Sequence, residues 1–390
     1  MANNTWRHPS NTNVAQVWQG TVTTTTVGHT YTVTLTDDDG NTEAITFTVT
    51  ATENTVALVA AAFASAWNAS AIPLIAGITA SSAVDVVSLT ADTAGVPFTA
   101  AASGTGTWSS TGNTTENVGN NDWTTARNWE KDAIPVATDD ALFDVGSVDV
   151  KYGLNQAAVA LADFRVFEGC SSQFGRFDNG LEHYLRIDPN LFRYEGKGSL
   201  AMFDLNAAAI AAYVATFGSP GTAGRKAVYI KGSAITTLTV NRGIVGVAVQ
   251  DADTATVTEI VCGYLTGQTS DVDLEIGSGT TLTTLTQSGG ICKLKAACTT
   301  VNQSAGTTLT TEGSGAITTI NARGTCKLNS SGTITTLNVW GLVDFSGDRT
   351  ARTVTNLNLK PGGKVILTSD ITVTTLTGLT EQGDATIEYV

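Results

Sequence analysis

Along the C-terminal half of the chain, one short arrangement of apolar and polar positions keeps returning. A Thr-Thr-aliphatic triplet, a turn bearing Gly or Ser, and a brief apolar run recur at Thr284-Leu285, Thr300-Val301, Thr319-Ile320, Thr336-Leu337 and Thr375-Leu376. A second marker keeps step with it. Cys292-Lys293-Leu294 returns as Cys326-Lys327-Leu328, 34 residues or twice 17 later, with Leu309 halfway and Val343 another 17 beyond Cys326. A unit this short cannot bury its own apolar face, so neighbouring units must stack to make a core. The pattern therefore predicts a parallel β-helix (a β-solenoid) with rungs of about 17 residues, each with room for three short strands. The rungs read as regular from Ile235 onward. The step from Val343 to Val365 is 22, which places an insertion at 348–352 on one loop.

Ahead of the repeats the pattern changes. Residues 17–27 and 30–36 alternate apolar and polar, 37–41 (Asp-Asp-Asp-Gly-Asn) read as a turn, and 43–50 as the returning strand of a hairpin. Val56, Val59, Ala60, Phe63 and Trp67 fall at helical spacing behind a cap at Asn54 or Thr55. Strands at 84–90 and 97–101 complete a small α+β domain over 17–101, in the order β-β-β-α-β-β. Residues 1–16 are polar and read as an arm, with Trp6 and Arg7 exposed to whatever the arm meets. Residues 102–121, rich in Gly, Ser, Thr and Asn, read as a linker. The solenoid is expected over 122–390, its first rung capped by Trp123 and Trp129. The alanine-rich stretch 205–217 has helical propensity, yet strand is expected there because 227–240 resumes the rung spacing.

Composition narrows the possible functions. Of 390 residues, 42% are hydrophobic and only 14% charged, and threonine and 39 glycines fill the difference. The net charge of −14 and the absence of a Lys/Arg cluster argue against binding nucleic acid. The most apolar stretch, 55–66, is too short to span a bilayer, so no membrane is expected as a partner. The polar N-terminus carries no secretory pattern, and synthesis in a host cytoplasm is expected. The five cysteines, at 170, 262, 292, 298 and 326, form no CxxC pair, and buried stacked thiols are expected in preference to a metal site.

Signals for catalysis are weak. Residues 37–41 suggest a calcium loop but lack its alternating ligands, so a plain turn is expected. Asp271, Asp273 and Glu275 share one side of a strand. Paired carboxylates on a solenoid face can do acid/base work on a glycan, but they must come from neighbouring rungs. Those rungs offer Lys293, Lys295 and Glu312, so a solvated acidic strip is expected. Asp139 and Asp140 are expected to fix turns. His8, His29 and His183 lie far apart, and neither a Gly-x-Ser-x-Gly elbow nor a phosphate loop is present. Rows of threonine bind ice in some solenoids, but adjacent threonines of a doublet should point to opposite faces. No catalytic, metal or cofactor site is expected.

Two stretches resemble known modules. Residues 32–51 (TVTLTDDDGNTEAITFTVTA), 61–70 (AAFASAWNAS) and 78–100, above all LTADTAGVPFT, resemble a small domain of tailed-phage structural proteins. Residues 122–143 (DWTTARNWEKDAIPVATDDALF) look like the opening of repetitive β-helical surface and virion proteins. The resemblance implies a virion structural protein of the capsid decoration (cement) or head-fibre type, on the capsid surface. Its partners would be the major capsid protein and itself, as a homotrimer, with Trp6, Arg7 and Trp18 as candidate capsid contacts. The alternative is a tail fibre or tailspike that binds a host-surface glycan, with or without depolymerase activity. Against that alternative, Trp340 is the only tryptophan in the regular rungs. A cell-surface adhesin is a third reading, disfavoured by the missing secretory pattern.

Overall fold

A computed structural model describes residues 2–7, 12–36, 40–178, 181–263, 271–378 and 384–390. The protein is mainly β, and 21 strands belong to one large coiled sheet. Parallel registers join each rung to the next. One interior column runs Leu274, Cys292, Leu309, Cys326, Val343, Val365, Ile387, in steps of 18, 17, 17, 17, 22 and 22 residues. A second runs Leu285, Val301, Ile320, Leu337, Leu357, in steps of 16, 19, 17 and 20, and continues in register to Leu376, which is exposed on the last rung. The β-solenoid is therefore as expected, with a rung that breathes around 17 because loops absorb the difference.

Each regular rung contains one longer and one shorter strand, for example Ile334–Val339 and Leu342–Asp344. In Ile334–Val339, Ile334, Leu337 and Val339 are buried while Thr335 and Thr336 both face outward. Two outward neighbours in succession break the two-residue alternation of a straight strand. The register pairs Ile317 with Ile334 and Thr319 with Thr336, passing over the first threonine of each doublet. The doublet is thus a local irregularity that lets one strand serve two sides, in place of three separate strands. It also corrects the expectation that the two threonines would oppose each other. In the stretch 205–217, Ala201–Leu205 and Ile210–Ala215 are strands, with Ile210, Ala212 and Val214 buried alternately.

The N-terminal arm is part of the solenoid. Asn3–Thr5 pairs in parallel with Asp140–Phe143, and Trp6 forms an antiparallel bridge with Trp129. Asn4, fully buried, donates from its amide to Ala133 O at 2.7 Å. The small domain is consequently an insertion: the chain begins in the first rung, leaves it, and returns to it after the domain. The neck is narrow. Val14 and Val118 exchange backbone hydrogen bonds of 2.9 and 3.4 Å. Beside them Gly119 lies so close to Gly95 that a Cβ would meet Gly95 O at 2.4 Å.

The small domain holds two antiparallel sheets. One is four-stranded, from Ile78–Ala83, Val86–Ala91, Val17–Val22 and Trp108–Thr115; the other is Thr42–Thr48, Thr30–Thr36 and Thr99–Ser103. The helix Val56–Asn68 is capped by Thr55, whose hydroxyl accepts from Leu58 N, and it buries Val59, Ala60, Phe63 and Trp67. Pro73–Ala76 is a second, single-turn helix. Of the plain turn expected at 37–41, residues 37–39 lie outside the described residues; the flanking strands pair from Thr30–Thr48 to Thr36–Thr42. The segment expected as a linker is instead a strand, Trp108–Thr115. Trp108 packs edge-on against Trp18, Tyr31 and Phe63 at 6.2, 5.1 and 5.5 Å. Gly20 makes room for this, since a Cβ there would meet the Trp18 and Trp108 rings at 2.7 and 2.9 Å.

Candidate functional site

The middle rungs carry the most elaborate polar arrangement among the described residues. Ala201–Leu205 pairs with the start of Val228–Val247, with Asp204 beside Lys231. Alternation sends Phe203, Leu205 and Ile230 inward and Asp204 and Lys231 outward. Met202 and Tyr229 would also face water, but a second apolar layer with Tyr184 covers them. The antiparallel pair Arg176–Asp178 and Leu181–His183 adds Phe177 to this layer.

At its edge the Tyr184 hydroxyl donates to Asp253 Oδ2. Lys231 Nζ lies 3.3 Å from Asp253 Oδ1 and 3.9 Å from the Tyr184 ring centre. Burial, then the bond to Asp253, pushes the Tyr184 phenol far above its usual range, so it remains a proton donor. One rung away, Arg186 Nε holds Asp204 Oδ2 at 3.2 Å. Between these pairs opens a groove of about 320 Å³, lined by Asp204, Asn206, Lys231, Ser233, Thr254 and Thr256 among others.

The acidic strip lies on the next rung. Asp273 stands between Ile244 and Ile291 in register, and Glu275 between Gly246 and Lys293. Glu275 is clamped by Lys226 at 3.0 Å and Lys295 at 2.7 Å, while Asp271 reaches Arg242 at 3.7 Å. Among the described residues, no carboxylate of a neighbouring rung faces Asp273 or Glu275 in register, and acid/base work on a glycan needs two. Lys293–Glu312 and Lys364–Glu388 extend the ion pairing up the rod. Burial raises the Glu275 pKa, but the bonds from Lys295 and Lys226 outweigh it and bring the pKa below 4.5. A depressed carboxyl pKa stabilises the fold above the unfolded value and stops doing so as pH falls through the folded one. Wild type is therefore expected to melt above Glu275→Gln at neutral pH, with the gap closing on acidification below about 4.5. A gap that persists unchanged into strong acid would refute the assignment.

The candidate contacts at Trp6, Arg7 and Trp18 have other surroundings than an exposed arm provides. Trp6 is 5% exposed and packs on Trp129 at 5.0 Å and Phe143 at 5.7 Å. Arg7 pairs with Asp132 at 3.2 Å. Trp18 is buried in the small domain. Trp123 and Trp129 lie 4.6 Å apart at the first rung, and the Trp129 indole donates to Trp123 O at 2.8 Å. The cap is thus a cluster of three tryptophans with Phe143. Trp6, expected as an exposed anchor, belongs to this cap; no periodicity points to that, because its partner Trp129 is 123 residues away. Asp139 accepts from Val136 N at 3.2 Å, as a turn residue would.

Two features of the regular rungs, an asparagine ladder and the cations around Trp340, go beyond the sequence expectations. Asn302, Asn321, Asn338 and Asn358 form a ladder in which the amide of each of the last three donates to the side-chain oxygen of the one before, at 2.8, 2.9 and 2.9 Å. Its signal was present, one residue after each repeated aliphatic. Trp340 is the second. Arg323 and Lys360, on adjoining rungs, lie 4.2 and 5.9 Å from its ring centre, so its faces are already occupied by cations.

All five cysteines are buried, Cys292 and Cys326 in the same interior column. Burial pushes the Cys262 and Cys326 thiols up to about 12 and Cys298 to about 11. The thiolate is the reactive form, so native protein is expected to leave a thiol-reactive dye untouched and to consume five equivalents in denaturant. Stoichiometric labelling of the native protein would contradict the burial. Among the described residues, no group of three or more His, Cys, Asp or Glu side chains is placed to hold a metal.

No protein-family model, curated protein or solved structure matches this chain.

Proposed function

We propose that this chain is a structural virion protein without catalytic activity, which decorates a tailed-phage capsid by gripping the shell with its small domain. The observation that carries this reading is the manner of insertion. Val17–Val22 starts at the neck and ends where Val22 meets Trp108 and the Asp85 carbonyl, so the loops beyond it form the end of the domain remote from the solenoid. That end presents Val27, 64% exposed, and Val84, 76% exposed. Val84 also has a φ of +55°. A β-branched residue there costs about 1–2 kcal/mol and points to a functional constraint.

An apolar tip on a necked domain suits an anchor that buries itself in a partner. The tip thus replaces Trp6, Arg7 and Trp18 as the capsid contact. The charge of −14 suits a protein displayed in many copies. The partners are the major capsid protein and two further copies of the chain.

The test is to incubate purified protein with heads that lack it and image them by electron cryomicroscopy. Density at regular lattice positions, touching the shell through the small domain, is expected. Val27→Asp with Val84→Asp should abolish occupancy while leaving the far-ultraviolet spectrum and melting temperature intact. Bare heads with the wild-type protein would defeat the proposal. Light scattering should give three chain masses, and a monomer would remove the trimer from it.

A further inference from the structure

We infer that the groove on the middle rungs is a binding site for one ring of a saccharide. The inference stands on the groove alone and does not depend on the capsid reading. Its volume of about 320 Å³ lies at the lower end of the range for small-molecule sites. Its lining is unlike that of most such sites, which are chiefly apolar. Asp204, Asn206, Lys231, Ser233, Thr254 and Thr256 supply a carboxylate, an amide, an ammonium and three hydroxyls. An apolar ligand would strip water from these groups without replacing its hydrogen bonds, leaving each of them unpaired. A ligand carrying hydroxyls on several sides of a ring can satisfy them together.

The two charged groups are fixed before any ligand arrives. Lys231 is held by Asp253 and by the face of Tyr184. An ammonium has three donors, so it retains donors beyond the one aimed at Asp253. Asp204 gives Oδ2 to Arg186 and keeps Oδ1 for another donor. Asn206, Ser233, Thr254 and Thr256 have no side-chain hydrogen bond to another described residue, so their capacity is open to a ligand. Donors and acceptors thus converge from three successive rungs, since Leu205 pairs with Gly232 and Gly232 with Ala255 at the start of the strand Ala255–Cys262. Neutral hydroxyls, which both donate and accept, match this mixture better than a polyanion or polycation does. With Trp340 already covered by cations, selectivity would come from hydrogen bonds and not from aromatic stacking.

The test uses the full-length protein and saturation-transfer difference NMR. The probes are the methyl glycosides of glucose, galactose and N-acetylglucosamine. Cyclohexylmethanol serves as a ring-sized control without the hydroxyl pattern. Saturation transfer to at least one glycoside and none to the control is expected. Asn206→Leu with Thr254→Val should weaken that binding about tenfold or more. Both positions are exposed, so the melting temperature should not change. The inference fails if none of the three glycosides shows transfer. It also fails if the control matches them, or if the double variant binds as wild type does. Particle binding by the same variant should be unaffected, so the two readings fail independently.

Discussion

Trp129→Ala is expected to destabilise the capped end of the solenoid by about 3–5 kcal/mol. Trp129 is fully buried and packs edge-on against Trp6, Trp123 and Phe143 at 5.0, 4.6 and 5.7 Å. Truncation would empty the centre of the cap and remove the bond to Trp123 O. In a stacked array each rung is stabilised by its neighbours, so damage at an end spreads inward by fraying. Hydrogen exchange should therefore show lost protection first in Asn3–Thr5, Asp140–Phe143 and Asn155–Val166. The regular rungs beyond Val272 should keep theirs. The small domain should be spared as well, because its core is separate. Trp129→Phe should lose less, since it retains most of the apolar volume. A uniform loss along the whole rod, or a loss below about 1 kcal/mol, would show that the cap does not seal the end.

Arg352→Met is expected to cost about 3 kcal/mol or more, concentrated in the C-terminal rungs. Arg352 is 5% exposed and sits where the five-residue insertion rejoins the rung. Its guanidinium donates to the carbonyls of Leu328, Ser330, Asp348 and Thr350, with Ser330 O at 2.6 Å. Burial lowers its pKa, and the charges of Asp348 and Asp370 partly restore it. The bonds to Leu328 and Ser330 are buried, and a buried bond from a charged donor is worth about 1.5–3 kcal/mol. Lysine should recover only part of the loss, since an ammonium on a flexible stem cannot reproduce a rigid planar fork. Exchange protection should fall in Arg352–Leu359 and Lys364–Leu367. If the methionine variant denatures within about 1 kcal/mol of wild type, the loop is held by something else.

The pH response of Glu275 and the silence of the five thiols follow from the same feature of the rod. Side chains stack on their equivalents one rung away, so a charge meets a charge and a thiol meets an apolar interior. Most of this was legible beforehand. The Thr-Thr-aliphatic phrase and the Cys-Lys-Leu pair reported both interior columns, because a solenoid's neighbours in space are also neighbours in the repeat. The insertion at 348–352 was visible as a lengthened step. The hairpin over 30–48 and the helix with Phe63 and Trp67 were visible through their own periods of two and 3.6 residues.

What escaped had no period to announce it. Trp6 reads as an exposed anchor because residues 1–16 are polar, yet it is buried with Trp129 and Phe143 in the cap of the first rung. Trp108 sat in a Gly- and Ser-rich stretch whose composition reads as linker, and its place was decided by a gap between Trp18, Tyr31 and Phe63. Tyr184 and Asp253 are 69 residues apart, and Asp204 and Thr254 come from different rungs, so the groove exists only where the coil overlays them. The sequence by itself determined the coil, its rung, its interior columns and the helix-bearing domain, because local alternation and repetition dictate which faces must be buried. Only the tertiary structure decided where the chain ends close, where the small domain is inserted and which polar groups meet. Those are contacts between segments that share no repeat and are brought together by the winding alone.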